Sequence, residues 1–222
     1  MPGKEYALTF YQKLERRFGK YAVPNLMKYI CVIYVVGYLI QMFNPLLYFY
    51  YLDLDAEAIL HGHIWRIITF IFYPPSTSFL WMIVALFVYY SLGMTLERVW
   101  GTFKYNFFYF TGVILLVLSA ILIYLVTGYS VQLYPTYMTF SIFLAYALTF
   151  PDTTFLLYFI IPIKAKWLAI AEVVLYLFYF VALPGLGNKV AILTSLLNVA
   201  LFFFLTNQKP KNRNIYNMRD FR

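Results

Sequence analysis

Few residues of this chain have the type and spacing for chemistry, and each class can be taken in turn. His61-Gly62-His63 sets two imidazoles two residues apart, close enough to share a metal ion from an extended loop. No third ligand stands beside them and no His-Glu-x-x-His run occurs, so a pair of loop histidines is the simpler reading; no metal and no other cofactor is expected. Asp53 and Asp55 share that polar stretch, Asp152 follows Pro151, and Asp220 lies near the C-terminus. None falls in an apolar run, which removes an aspartyl dyad. Ser141 and Ser195 do fall in apolar runs, but a serine nucleophile needs a neighbouring histidine to take its proton, and no apolar run contains one. Glu172, six residues beyond Lys166, is the candidate functional carboxyl. In lipid such a group is costly and usually faces the interior of a helix bundle, although a lysine partner or the membrane surface would also satisfy it. Thr136, Thr139, Ser141, Ser195 and Asn198 are further polar candidates, with hydrogen bonding between helices as their simpler role.

The elements that must hold these residues follow from composition. Of 222 residues, 63% are hydrophobic and 12% charged, against about a quarter charged in an ordinary soluble domain. That excludes a soluble globular domain, a disordered chain and, with Cys31 the single cysteine, a disulfide scaffold. An all-α polytopic membrane protein is expected, and at about 20 residues per span the length allows roughly five to seven helices. Six apolar stretches mark them, near residues 25–43, 78–96, 105–126, 134–150, 167–183 and 190–205. Asn44-Pro45, Pro74-Pro75, Thr127-Gly128, Pro151-Asp152 and Pro184-Gly185-Leu186-Gly187 punctuate them. Residues 46–69 carry Asp53, Asp55, Glu57, His61, His63 and Arg66 and read as an interfacial loop. Residues 155–163, with Pro162 among them, read as an interfacial turn.

Charge placement gives the orientation. Every Lys and Arg except Arg66 and Lys189 lies on one side of a six-span arrangement, which places both termini in the cytoplasm. The net charge of +8 is thus a topology signal, and no nucleic-acid partner is expected. Before the first span, Tyr6, Phe10, Leu14 and Phe18 recur every four residues among Lys13, Arg16, Arg17 and Lys20, the pattern of a basic amphipathic helix on an anionic leaflet. A solvated basic arm is the alternative. The expected division is a cytoplasmic N-terminal segment at 1–24, a membrane domain at 25–207 and a basic tail at 208–222. No cleavable signal peptide is expected, and the expected location is the plasma membrane of a bacterium.

Two stretches together resemble the rhomboid superfamily. Gly62-His63-Ile64-Trp65-Arg66-Ile67-Ile68-Thr69 is similar to the Trp-Arg-x-x-Thr of the rhomboid first loop, carried by Trp65, Arg66 and Thr69. Leu92-Gly93-Met94-Thr95-Leu96-Glu97-Arg98-Val99-Trp100-Gly101 is similar to the Gly-x-x-x-Glu-x-x-x-Gly that ends the second rhomboid span, carried by Gly93, Glu97 and Gly101. The resemblance covers roughly residues 26–207 and implies a six-helix rhomboid-like bundle with an interfacial first loop. In physical terms Gly93 and Gly101 permit close approach, Glu97 accepts hydrogen bonds at a helix end, and Arg66 pins the first loop at the interface beside Trp65.

The departures carry the functional expectation. Active rhomboids place the nucleophile in Gly-x-Ser-Gly at the start of span four, which falls here on Pro135-Thr136-Tyr137-Met138, with Tyr137 at the serine position. The family's histidine of span six falls on or beside Ser195, and its oxyanion-side His and Asn fall on Trp81 and Ala85. The resemblance therefore implies a pseudoprotease and not an enzyme. Inactive members, the derlins included, bind transmembrane segments of client proteins, so the lipid bilayer and such clients are the expected partners. A small-solute or ion transporter using Glu172 and the polar residues of spans four and six is one alternative. A divergent intramembrane serine protease, using Ser141 or a tyrosine, is the other.

Overall fold

Long apolar runs become helices because a chain in lipid has no water to satisfy its backbone N–H and C=O groups. The computed structural model describes residues 10–157, 161–182 and 185–206. Within them the chain opens with α1 (Phe10–Phe18), a 3-10 turn (Gly19–Tyr21) and α2 (Leu26–Phe43). Next come α3 (Pro45–Leu47), a π-helical turn (Tyr48–Leu52), α4 (Ala56–Leu60), α5 (Arg66–Thr69) and a 3-10 turn (Phe70–Phe72). The long helices α6 (Phe79–Trp100) and α7 (Thr102–Thr127) precede α8 (Thr136–Thr149) and a hairpin of β1 (Thr154–Leu157) and β2 (Ile161–Lys164); α9 (Ala165–Ala182) and α10 (Leu186–Thr206) complete the fold. The protein is an all-α polytopic membrane protein. Helices α2, α6, α7, α9 and α10 are each long and apolar enough to cross a bilayer, and α8, of 14 residues, is the shorter sixth. At 1.5 Å per residue α8 is about 21 Å long, against a hydrocarbon core of roughly 30 Å.

The core forms around α7, whose buried residues run from Tyr105 to Ile123 and pack chiefly on α10, with α6 and α8 beside it. At one end Trp100 stacks on Phe202 at 4.5 Å and meets Phe108 edge-on at 5.7 Å, giving the α6–α7 turn an aromatic floor. That turn depends on Gly101, whose φ of 89° lies where L side chains are strained. Two other glycines serve contact. A Cβ on Gly93 would stand 2.6 Å from both Met27 Cγ and Tyr105 Oη, and one on Gly37 would overlap the Phe72 carbonyl oxygen. Gly37 therefore lets α2 lie directly against the 3-10 turn that follows α5.

Three segments differ from their sequence reading. Residues 46–69 are not a loop but a string of short helices, because their polar residues act as caps. The Asn44 side chain accepts from the Leu47 N–H at 3.2 Å with Pro45 in the first helical position, and Asp55 accepts from the N–H groups of Glu57 and Ala58. The expected turn at 155–163 is part of an antiparallel hairpin pairing Thr154 with Lys164 and Leu156 with Pro162; residues 158–160 lie outside the described residues. Phe155 anchors it against Phe143 and Tyr146 of α8. Lys164 and Lys166 both donate to Asp152 at 3.2 Å and hold its exposed carboxyl below the ordinary carboxylate range.

The third difference concerns the N-terminal stripe. A helix does form at Phe10–Phe18, but Tyr11 holds it to the bundle, resting on Phe103 and Phe107 at 5.9 and 5.8 Å. Phe10 and Phe18 face outward beside Arg16 and Arg17. Tyr6 and the basic tail at 208–222 lie outside the described residues.

Candidate functional site

Tyr137 and Ser195, which the rhomboid resemblance sets at catalytic positions, line the same place. Gly112 and Leu116 of α7, Tyr137, Met138 and Ser141 of α8, and Thr194, Ser195 and Asn198 of α10 line one narrow gap with no room for a water molecule. Each hydroxyl in it is already engaged. Ser141 Oγ donates to the Met138 carbonyl at 3.0 Å and Ser195 Oγ to the Ile192 carbonyl at 2.8 Å, both one turn back along their own helices. Tyr137 donates to Asn188 Oδ1 at 3.0 Å, and Thr194 shares a 2.8 Å hydrogen bond with Ser119. Asn198 reaches Ser141 Oγ and the Phe108 carbonyl only at 3.5 Å, and its own Oδ1 is buried and meets no donor among the described residues. Gly112 is what lets Asn198 sit here, since a Cβ on it would come within 2.9 Å of Asn198 Nδ2. Among the described residues no hydroxyl of the gap is hydrogen-bonded to a basic side chain, and both histidines lie in the segment between α2 and α6.

Other residues expected at this place are elsewhere. Trp81 lies on the outer face of α6, 56% exposed, and Ala85 one turn on is half-buried; neither lines the gap. The reason is the phase of α6, which turns Met82 and Gly93 inward and so carries Trp81 towards lipid. Thr136 is exposed at the start of α8. Glu172 belongs to a second locus on α9, with Tyr176 stacked on Phe140 of α8 at 4.1 Å. Its carboxyl lies near enough to Tyr89 of α6 and to Tyr176 to interact electrostatically with both hydroxyls. Glu172 Oε2 is buried and no donor reaches it among the described residues.

The residues of the two sequence motifs form polar anchors. Arg66 is buried and holds the segment before it, its guanidinium donating to the Asp53 carboxylate and to the carbonyls of Asp53 and Tyr50. The fork of five donors suits that role, because it can satisfy three acceptors at once. Trp65 remains exposed and donates to the Tyr51 carbonyl at 3.0 Å, and Thr69 donates to the Leu52 carbonyl at 3.0 Å. Two residues unremarked in the sequence extend this latch to the α7–α8 connection. Ser130 donates to Asp55 at 2.5 Å and Gln132 to Asp53 at 3.5 Å.

At the opposite end Glu97 acts as expected, and its partner is the start of α2. Its two carboxylate oxygens accept from the Asn25 N–H at 2.8 Å and the Leu26 N–H at 3.2 Å. Asn106, also unremarked in the sequence, both donates to the Val23 carbonyl and accepts from the Val23 N–H at 2.9 Å. Glu97→Ala is expected to cost about 1.5–3 kcal/mol, the range for hydrogen bonds to a charged group, and to lower the thermal midpoint in detergent. Glu97→Gln, which keeps one acceptor, is expected to lose about half as much.

Comparison with known proteins adds a family. Residues 28–206 match the model of a family described as a eukaryotic integral membrane protein (DUF1751). No curated protein matches the chain.

Proposed function

The chain belongs to the eukaryotic integral membrane protein family DUF1751, and from that premise we propose that it is a rhomboid-like protein without protease chemistry that binds transmembrane segments of client proteins. Membership corrects the bacterial plasma membrane expected from sequence. Lysine and arginine asymmetry reports which side of a membrane a segment faces and follows the same rule in both kinds of cell, so it could not name the organism.

The observation that carries the client reading is α9. Of its 18 residues only Ala165 and Ala169 are buried, while Trp167, Ile170, Val174, Leu177, Phe178 and Val181 are turned outward. A spanning helix so little used by its own bundle offers a long aromatic and branched surface to another helix. Two further features favour the reading. The short α8 is mismatched to the bilayer, which lowers the cost of bringing a foreign span close. The segment between α2 and α6 leaves Leu46, Phe49, Tyr50, Ile64 and Ile68 exposed. The filled gap between α7, α8 and α10 supports a role without hydrolysis, and its lack of room for water favours client binding over transport along those helices.

Photocrosslinkers at Val174 and Phe178 are expected to capture single-span proteins, whereas crosslinkers at the outward Ile114 and Leu118 of α7 are not. Capture is expected to survive Tyr137→Phe and Ser195→Ala unchanged. Labelling by a serine-hydrolase probe that vanishes in Ser141→Ala would overturn the non-catalytic reading.

A further inference from the structure

Between α2 and α6 lies a groove of about 310 Å³, lined by Lys28, Cys31, Val32, Val35 and Val36 of α2 and by Tyr90 of α6. Its wall follows from spacing, since residues 28, 32, 35 and 36 recur at three and four positions and share one face of the helix. Cys31 Sγ donates to the Leu86 carbonyl of α6 at 3.8 Å and fixes the back of the groove. From Lys28 to Val36 the groove runs eight residues, about 12 Å along α2. Beyond Val36 the two helices meet through rings, Tyr38 of α2 against Phe79 of α6 at 6.5 Å. The other end opens where α2 begins. There Lys28 is exposed and makes no ion pair among the described residues. Arg98, also exposed, stands at the same end, next to the Glu97 that binds the first amides of α2.

We propose that this groove holds one acyl chain of a glycerophospholipid with an anionic headgroup, its phosphate end at Lys28. Length selects the occupant. One leaflet's share of a hydrocarbon core of roughly 30 Å is about 15 Å, which the groove matches, whereas a spanning helix is twice as long. Volume points the same way, because a helix with its side chains is about 10–12 Å across and a groove of about 310 Å³ does not admit one. Charge selects the headgroup. Lys28 lies two residues inside α2, so its apolar stem follows the wall of the groove while its ammonium reaches headgroup level. Both Glu97 oxygens are already taken by backbone amides, which leaves the charges of Lys28 and Arg98 for the lipid. A zwitterionic headgroup brings its own cation to that place, and an anionic one does not. The groove is separate from the outward face of α9 and does not depend on the client reading.

The test uses the full chain in phosphatidylcholine vesicles with a trace of phospholipid carrying a diazirine halfway along one acyl chain. Illumination and peptide mapping are expected to place adducts on Val32, Val35, Val36 and Tyr90. A phosphatidylserine probe is expected to label them roughly fivefold more than a phosphatidylcholine probe. Lys28→Gln is expected to lose most of that preference at an unchanged thermal midpoint. Val32→Trp, which fills the groove, is expected to lose labelling by both probes. Equal labelling of the unmodified protein by the two probes overturns the proposal, and that comparison needs no variant to fold. Adducts as frequent on the outward Ile114 and Leu118 of α7 show contact with bulk lipid alone and also overturn it. If an equal trace of free fatty acid, or of a single-span peptide of leucine and alanine, abolishes the labelling, the occupant is another and the proposal fails.

Discussion

Arg66→Ala is expected to cost about 3–5 kcal/mol, the range for stripping one partner from a buried ion pair. Burial pushes the Asp53 carboxyl above its ordinary value and the Arg66 charge pulls it back, so without the guanidinium Asp53 keeps the desolvation cost alone. The damage reaches beyond the pair. Arg66 also holds the Tyr50 and Asp53 carbonyls, and Asp53 accepts from Gln132, so one side chain ties the π-helical turn, α5 and the α7–α8 connection together. The expected readouts are a lower thermal midpoint in detergent and new protease cleavage within residues 46–69. Arg66→Lys is expected to recover little, because an ammonium cannot reproduce the fork. The double variant Arg66→Met with Asp53→Asn is expected to be more stable than Arg66→Ala alone, since no buried charge is then left unpaired. An Arg66→Ala protein with an unchanged midpoint would show that the pair does not hold the segment.

Gly37→Ala is expected to be the other severe substitution, although it adds one methyl group. Overpacking a core usually costs about 1–3 kcal/mol because side chains can shift. Here the obstacle is the backbone carbonyl of Phe72, which no rotamer change removes, so α2 and the 3-10 turn must move apart. A cost of about 3 kcal/mol or more is expected, seen as loss of folded protein on size-exclusion chromatography in detergent. Gly19→Ala serves as the control, as a Cβ there meets nothing within 4 Å. It is expected to be neutral or to stabilise by up to about 1 kcal/mol. Equal behaviour of the two variants would refute the close approach.

What was legible in the sequence follows from period and solvent. The six apolar stretches became helices close to their expected bounds, because lipid leaves the backbone no alternative. Glu97 and Gly93 were legible because a charged residue and a glycine in an apolar helix each need a reason. Gly37 has the same logic but faces a turn 35 residues later in the chain, and nothing local predicts that neighbour. Residues 46–69 were misread because charge density was taken to mean loop, while the same charges cap helices and form a buried pair. The placement of Trp81 and Ala85 failed on helical phase, since counting along a motif does not say which side of α6 a residue faces. Glu172 stood out by type alone, whereas its neighbours Tyr89 and Tyr176 were hidden among the chain's 23 tyrosines.

The cap on α2 also sets an order of events in biosynthesis. Asn25 and Leu26 are bound by a residue 72 and 71 positions later, and Val23 by one 83 positions later. At about 5–20 residues per second, Asn25 and Leu26 are synthesised roughly 4–15 s before Glu97. During that interval the helix has a membrane-spanning body and an unfinished beginning, with its first amides open to water, lipid headgroups or a passing chaperone. Entry of α6 then does more than add a second span. It completes the first, and the nascent chain has its earliest folded unit only when both are in place.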